Sequence, residues 1–314
     1  MKITAGIAKT SPSRCSAIGI FSTSIVCLFA CLSGLVSVNA QLVFHYEFNE
    51  TSGVTVSDSA GNHDLALRSS STWGAGVNSG TGGLALKATA SGTPTAGAAG
   101  SGFTGDDVIN LTKYTITGWY QVSGTPSGHL LTLGNSMSGS SFRIVADSGN
   151  AFLIYTQGRT ITSTTSGIIS GSPGKWVFLA ITIDTTLATP GVNWANVVKV
   201  YVASEDSVDL TQVTNKGLSG SASVADSALA GIDTIVLGNN TATVAGSSRA
   251  FNSNALLDDI RLYSGVLDAT ALNEIRLQSI PIPEPKSVTA LAGCGAIAAT
   301  LLLKRRAASA GVLR

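Results

Sequence analysis

The chain has 314 residues, of which 12% are charged, and a formal net charge of +1. No basic stripe lies outside its two ends, which argues against a nucleic-acid or polyanion partner. All four cysteines fall in hydrophobic segments near the ends, at Cys15, Cys27, Cys31 and Cys294. The region between these segments therefore has no disulfide framework, thiolate nucleophile or cysteine-ligated metal.

The first 40 residues have the pattern of a secretory signal peptide. An apolar run covers residues 17–38, and Ala40 is a small residue suited to signal peptidase, so we predict cleavage before Gln41. An alternative is a lipobox with Cys31 lipidated, although Phe29 is bulky for that pattern and apolar sequence continues past Cys31. The basic stretch before the apolar run contains Lys2, Lys9 and Arg14.

Period-2 runs rich in β-branched and aromatic residues recur between clusters of Gly, Ser, Thr and Asn, and each run predicts a strand. Ten such runs indicate an all-β fold, an antiparallel sandwich of two sheets over residues 41–279. Both faces of the run 175–184 are apolar, which predicts a central strand. The runs are 42–48, 83–88, 114–122, 129–133, 141–146, 151–156, 175–184, 197–203, 233–238 and 256–263.

One helix is predicted near the end of this region. Asp268 can cap residues 269–278, and Leu267 before the cap can contact Leu272 in the fourth helical position.

Five segments, in this order, resemble the laminin-G-like, concanavalin A-like jelly-roll domains of bacterial surface proteins. The first reads "LVFHYEFNETSGVTVSDSAGNHDLAL", and the last reads "ALLDDIRLYSGVLDATALNEI". Between them come "YTITGWYQV", "KWVFLAITID" and "VVKVYVAS". The resemblance implies a jelly roll over nearly all of residues 41–279. Residues 203–205 replace the usual Asn-Gly turn, so we expect a longer hairpin there.

The same jelly roll carries lectins, hydrolases and adhesion modules, so function has to be argued from the residues. Retaining hydrolysis on this sandwich needs two carboxylates about 5 Å apart, commonly placed as Glu-x-Asp-x-x-Glu on one strand. The sequence lacks this string, and the acidic run 205–209 reads as a solvated turn. His45, His63 and His129 lie in separate segments, where single histidines are usually structural. We predict that the chain is not an enzyme; a glycoside hydrolase or lyase is the less favoured alternative.

Carbohydrate binding is the favoured function, because sugars stack on aromatic side chains near loops. The candidates are Trp73, Tyr155 and Trp194, each of which has core packing as its alternative role. The expected partner is extracellular polysaccharide or another envelope glycan. A structural surface or matrix protein with no small ligand is the alternative.

The resemblance also implies one structural Ca²⁺ where the first and last strands meet. Calcium takes six to eight oxygen ligands. The candidate ligands are Asp58, Asn62, Asp64, Asp258 and Asp259. Asp258 and Asp259 are expected to point to opposite faces, the one that misses the ion turning toward water or an arginine. The alternative is that Asp58 only initiates a turn.

Residues 280–314 resemble the PEP-CTERM sorting signal of exported bacterial proteins. Pro283, Glu284 and Pro285 precede an uncharged apolar run of 17 residues, 287–303, and a basic cluster follows at Lys304, Arg305 and Arg306. A 17-residue helix is about 25 Å long, the short end of what spans a bilayer.

The resemblance implies recognition by exosortase, a membrane-embedded protease, at the Pro-Glu-Pro. The expected route is secretory export, transient membrane anchoring through 287–303, and then the cell surface or extracellular matrix. A plain tail anchor or a buried core helix is the alternative for 287–303.

Overall fold

Eighteen strands and one α-helix form in the part of the chain that the structure describes. The structure is a computed structural model. It describes residues 40–69, 71–77, 82–86, 97–122, 128–135, 139–147, 151–156, 159–163, 174–187, 197–213, 228–239 and 255–280.

The strands follow one another along the chain with two short 3-10 turns, Gly105–Asp107 and Thr185–Leu187. In chain order the elements are β1 (Gln41–Tyr46), β2 (Thr55–Val56), β3 (Leu65–Leu67), β4 (Ser71–Ala75), β5 (Gly82–Leu86), β6 (Ala98–Ser101), β7 (Ile109–Leu111), β8 (Lys113–Val122), β9 (Gly128–Asn135), β10 (Gly139–Asp147), β11 (Ala151–Thr156), β12 (Arg159–Ser163), β13 (Trp176–Asp184), β14 (Val198–Ser204), β15 (Thr211–Val213), β16 (Leu229–Ile232), β17 (Thr234–Leu237), β18 (Ala255–Ser264) and α1 (Ala269–Gln278).

Two antiparallel eight-stranded sheets make up the sandwich. The first sheet has the order β15-β14-β13-β8-β18-β5-β4, and β1 also pairs with β18. The second sheet has the order β12-β11-β10-β9-β17-β6-β3-β2, and β16 pairs separately with β7. Side chains from both sheets share one buried cluster, which we call the inner core.

β13 shows how the sequence builds two cores from one strand. Its alternate residues Val177, Leu179, Ile181 and Ile183 enter the inner core. Trp176, Phe178 and Ala180 point the other way, into a second cluster that we call the outer core. Because successive strand side chains point to opposite faces, this two-sided apolar pattern requires cover on both sides. The predicted central strand is confirmed, since β13 lies between β8 and β14.

α1 supplies the cover for the outer core. Its Leu272 and Ile275 are buried in that cluster together with Leu267. The Asp268 side chain caps the helix by accepting a hydrogen bond from the backbone N–H of Ala271 at 2.9 Å. The predicted helix and its cap are therefore confirmed.

All ten predicted strands are present, with ends shifted by a few residues. The expected longer hairpin is also present, since β14 ends at Ser204 and its partner β15 begins at Thr211. None of the helices formed by described residues has the length and apolar composition of a membrane span. The predicted signal peptide before Ala40 and the predicted sorting signal from 283 onward lie outside the described residues.

Candidate functional site

Asp58 organises the turn that follows β2. Its buried carboxylate accepts hydrogen bonds from the backbone N–H groups of His45, Ala60 and His63, at 2.8, 3.0 and 3.2 Å. Gly61 permits this tight turn, because a Cβ there would lie 2.9 Å from the backbone oxygen of Val43 and 3.0 Å from Asp58 Oδ2. The turn is thus held against the edge of β1.

His63 links this turn to the segment around Asp107. Its Nδ1 lies 3.1 Å from Asp58 Oδ2, and its Nε2 lies 2.9 Å from the backbone oxygen of Asp107. Both oxygens are acceptors when Asp58 is ionised, so both ring nitrogens must donate and the ring is an imidazolium. Only 5% of His63 is exposed, so its charge is compensated within the protein.

Electrostatics agree with this ion pair. Burial is the largest single influence and disfavours both charged forms, but the hydrogen bond between the two side chains and the backbone hydrogen bonds together outweigh it. The pKa of Asp58 is lowered, with help from three backbone N–H groups. The pKa of His63 is raised, with help from the Asp107 carbonyl.

A cleft of about 380 Å³, which we call the rim cleft, opens beside this pair. It lies between the edge of β1, the Asp58–His63 turn and the segment that enters β7, and Asn62 Nδ2 donates to Asp107 Oδ1 across it at 3.2 Å. None of the described residues that line it is Trp, Tyr or Phe. Its lining is Gln41–Val43, Ala60–His63, Asp106–Leu111 and Ser264.

The three aromatic sugar-site candidates do not come together in the described structure. Trp73 packs against the inner core and donates its indole N–H to the backbone oxygen of Gly53 at 3.2 Å. Tyr155 is the second-to-last residue of β11, and the Arg143 guanidinium lies 5.0 Å from its ring centre. Trp194 lies outside the described residues, so its role stays a prediction.

The first group of predicted calcium ligands is occupied by hydrogen-bond donors. Asp58 accepts from three backbone N–H groups and from His63, as described above. Asp64 Oδ1 accepts from the backbone N–H of Asp58 at 2.8 Å, and Asn62 is directed to Asp107. These side chains, as arranged here, do not fit a calcium cage, which needs oxygens pointing at one centre.

The second group, Asp258 and Asp259, lies where β18 bulges. The pairing of β18 with β8 shifts between Asp258 and Arg261, and Asp259 adopts φ +50°. The extra residue of a bulge re-aims side chains. Asp258 Oδ2 accepts from the backbone N–H of Val77 in the outer core at 2.7 Å, and Asp259 accepts from Ser279 just after α1. Both carboxylates therefore lie on the outer-core side of the first sheet, so the expectation that they point to opposite faces was wrong.

The pKa values of these two neighbouring carboxyl groups are shifted in opposite directions. Burial is the main reason that the pKa of Asp258 rises to about 7, and the Asp259 charge adds to it. For Asp259, burial is outweighed by His45, Arg261 and Ser279, which lower its pKa. Asp259 Oδ1 lies 2.7 Å from Arg261 Nε, so the expected turn of one carboxylate toward an arginine is confirmed. Among the described residues, no three acidic or histidine side chains converge as metal ligands.

The sequence did not single out Asp106 and Asp107, which line the rim cleft. The one signal for them is that two consecutive acids follow a Gly in "FTGDDV". The predicted processing residues Ala40 and Gln41 stand at the start of β1, and Gln41 borders the cleft.

Comparison with known proteins places the chain by its fold. No protein-family profile and no curated protein sequence matches it. The solved binding domain of Paraclostridial Mosquitocidal Protein 1 is similar with a TM-score of 0.50 at 14% identity, over 75% of this chain and 51% of that chain. The likeness shows an antiparallel sandwich of the jelly-roll type.

Two further solved structures are similar at lower scores. The receptor binding domain of botulinum neurotoxin type G has a TM-score of 0.45 at 11% identity, over 76% of this chain and 51% of that chain. Trypanosoma rangeli sialidase has a TM-score of 0.44 at 12% identity, over 74% of this chain and 32% of that chain. The chain thus spans about half the length of the two toxin domains.

Proposed function

We propose that the chain is an exported, membrane-sorted protein of the bacterial envelope whose jelly roll is a non-catalytic binding module for extracellular polysaccharide. The observation that carries the proposal is the rim cleft, a polar concavity at the edge of the sandwich. Solved structures of similar fold named as binding domains are consistent with this use of the fold.

The chemistry of the cleft suits a sugar. Sugar hydroxyls both donate and accept hydrogen bonds, and the cleft presents amides at Asn62 and Gln41 beside carboxylates at Asp106 and Asp107. Its volume of about 380 Å³ lies in the lower part of the range of small-ligand pockets, roughly 300–1,000 Å³. The buried Asp58–His63 pair fixes one wall, so little ordering is required when a ligand binds.

The same acids support binding without hydrolysis. Glycoside cleavage needs an acid and a second carboxylate on either side of the scissile bond. Asp106 and Asp107 are consecutive residues of one short 3-10 turn, and Asp107 Oδ1 already accepts from Asn62. They therefore lie on the same wall of the cleft and not on either side of a bond to be cleaved.

The ends of the chain supply the cellular part of the proposal. Signal peptidase would cut before Gln41, exosortase would recognise Pro283–Pro285, and residues 287–303 would hold the precursor in the membrane. Only four positions separate Ser279, whose hydroxyl donates to Asp259, from Pro283. An extended chain of that length reaches at most about 14 Å, so exosortase would act close to the folded domain.

Binding of the full-length protein, purified in detergent, to a glycan array tests the function. We expect binding to at least one polysaccharide and a loss of about tenfold or more in Asn62→Ala, because that variant removes an amide and its bridge to Asp107. Gln212→Ala, an exposed change on β15, is the matched control and should bind like wild type. Binding to no glycan would contradict the proposal and favour a structural matrix protein. If Asn62→Ala binds as well as the control, the binding site lies outside the rim cleft.

A further inference from the structure

We infer that the rim cleft selects neutral or amine-bearing sugar residues and rejects anionic ones. The inference rests on the proposed polysaccharide binding and adds the class of sugar. It follows from which charges of the cleft face a ligand and which are already compensated inside the protein.

Three charged side chains line the cleft, namely His63, Asp106 and Asp107, and none of its described lining residues is lysine or arginine. The one cation, His63, is not offered to a ligand. Both of its ring nitrogens donate within the protein, at 3.1 Å to Asp58 Oδ2 and at 2.9 Å to the Asp107 carbonyl. Asp58 compensates its charge, and the ring is buried.

The two carboxylates, in contrast, belong to residues that line the cleft, and neither forms a salt bridge with a described residue. The Asp106 side chain is exposed and makes no hydrogen bond to any described residue. Asp107 is partly exposed, and one of its oxygens accepts a hydrogen bond from the neutral amide of Asn62 at 3.2 Å. In the unprocessed chain a ligand therefore meets two negative charges and neutral donors. Cleavage before Gln41 would add one α-amino cation, which leaves a net charge of one negative at the cleft.

The magnitude of this effect is sufficient for selection. In water, a like charge about 4 Å away weakens the binding of a charged ligand roughly fivefold. Two carboxylates at that distance therefore weaken the binding of one ligand carboxylate by about 25-fold at low salt. The same charges favour a protonated amine by a similar factor.

Tyr155, another of the predicted sugar-binding aromatics, lies beside a cation instead. Arg143 is the neighbour of Tyr155 across β10 and β11, and its guanidinium stacks on that ring at 5.0 Å. Its neighbours along β10, Phe142 and Ile144, enter the inner core, so Arg143 lies on the outer face of the second sheet. The charge of the bound ligand therefore distinguishes the rim cleft from the candidate site at Tyr155.

Retention of the full-length protein on immobilised polysaccharides at low, fixed ionic strength tests the inference. The three matrices are dextran, which is neutral, chitosan, which bears amines, and alginate, which bears carboxylates. The test variant is Asp106→Asn with Asp107→Asn, which keeps hydrogen-bonding groups in place. The matched control is Asp206→Asn with Asp209→Asn, which removes two exposed acids from the loop after β14. Protein processed before Gln41 is assayed as well, because processing adds one positive charge beside the cleft.

We expect wild type to be retained by dextran or chitosan and to pass through alginate. In the cleft variant, retention on alginate relative to chitosan should rise by at least about fivefold, whereas the loop variant should be retained like wild type. Alginate retention of wild type equal to that on dextran, or identical behaviour of the two double variants, would overturn the inference and leave polysaccharide binding intact. Alginate retention that disappears in Arg143→Gln would overturn it in favour of the second sheet. Passage through all three matrices would overturn both the inference and the proposed function.

Discussion

The carboxylate of Asp58 and the imidazole of His63 form a buried pair within one turn, with 3.1 Å between Oδ2 and Nδ1. The pair joins the edge of β1 to the segment before β7, because Asp58 also binds the His45 N–H and His63 also binds the Asp107 carbonyl. The shape of the rim cleft therefore depends on one ionised carboxylate and one protonated ring.

Asp58→Ala is expected to destabilise the fold by about 3–5 kcal/mol, since it leaves a buried imidazolium and three backbone N–H groups without their acceptor. The contribution of Asp58 is present above its ordinary pKa of 3.8 and is lost as pH falls through its lowered folded value. The contribution of His63 is fully present below 6.5 and is lost as pH rises through its raised folded value. The difference between wild type and variant should therefore be largest between these ordinary values.

Urea unfolding of the full-length chain across pH 3 to 9 measures this difference. Ser57→Ala, an exposed change beside Asp58, is the control and should match wild type throughout. A difference that does not vary with pH would show that the pair is not ionic in the folded state.

Asp258→Asn is expected to stabilise the protein above neutral pH. Wild type holds the Asp258 proton up to a pKa of about 7, whereas the unfolded chain loses it near 3.8, so its unfolding free energy falls as pH rises between those values. Asparagine cannot ionise, and its carbonyl can still accept from Val77. The variant should therefore be about 2–4 kcal/mol more stable than wild type at pH 8.5, with a smaller difference at pH 4.

Paired urea titrations at these two pH values check the expectation, with Asp209→Asn as an exposed control. Titrating groups that do not interact with Asp258 cancel in the comparison. If the stability difference is the same at both pH values, Asp258 does not carry the titration.

The sequence predicted the long strands and the helix because their apolar period is strong. β13 alternates two apolar faces over nine residues, and the cap of α1 is visible at Asp268. Eight strands were missed, and each spans two to five residues. Segments such as β6, with the sequence "AAGS", are rich in Ala and Gly and form strands because of their neighbours in the sheet rather than their own propensity.

The candidate site was harder to predict for a related reason. Asp58 was predicted to be a calcium ligand, with turn initiation as the alternative, and in the structure it initiates a turn. Its partner His63 was interpreted as an isolated histidine. Asp107 is 44 positions from His63, so only the packed sheets bring them together. The outward direction of Asp259 depends on a bulge, which strict alternation along β18 cannot indicate.

Replacement of Lys304, Arg305 and Arg306 with neutral residues tests the sorting signal. Each basic residue costs roughly 2.5–3.5 kcal/mol to place in the bilayer centre, so their loss should weaken the stop-transfer. We expect fractionation to show less membrane-held precursor than in wild type. A matched variant with Lys199→Gln, in β14, should partition normally. Identical partitioning and maturation of the tail variant and wild type would contradict the sorting-signal hypothesis.

Calcium binding is the last sequence-based prediction that an experiment can decide. A ligand that binds only the folded state raises the melting temperature by mass action. Binding at the predicted residues would require calcium to displace His63 and backbone N–H groups from Asp58, or Arg261 and Ser279 from Asp259. Both exchanges break charged or buried hydrogen bonds, each of which contributes about 1.5–3 kcal/mol when a charge is involved. We therefore expect the melting curves of the full-length chain in millimolar calcium and in chelator to coincide. A rise in calcium that Asp58→Ala and Asp259→Ala each abolish, and that the exposed change Asp209→Ala leaves intact, would instead establish the calcium site at the junction of β1 and β18.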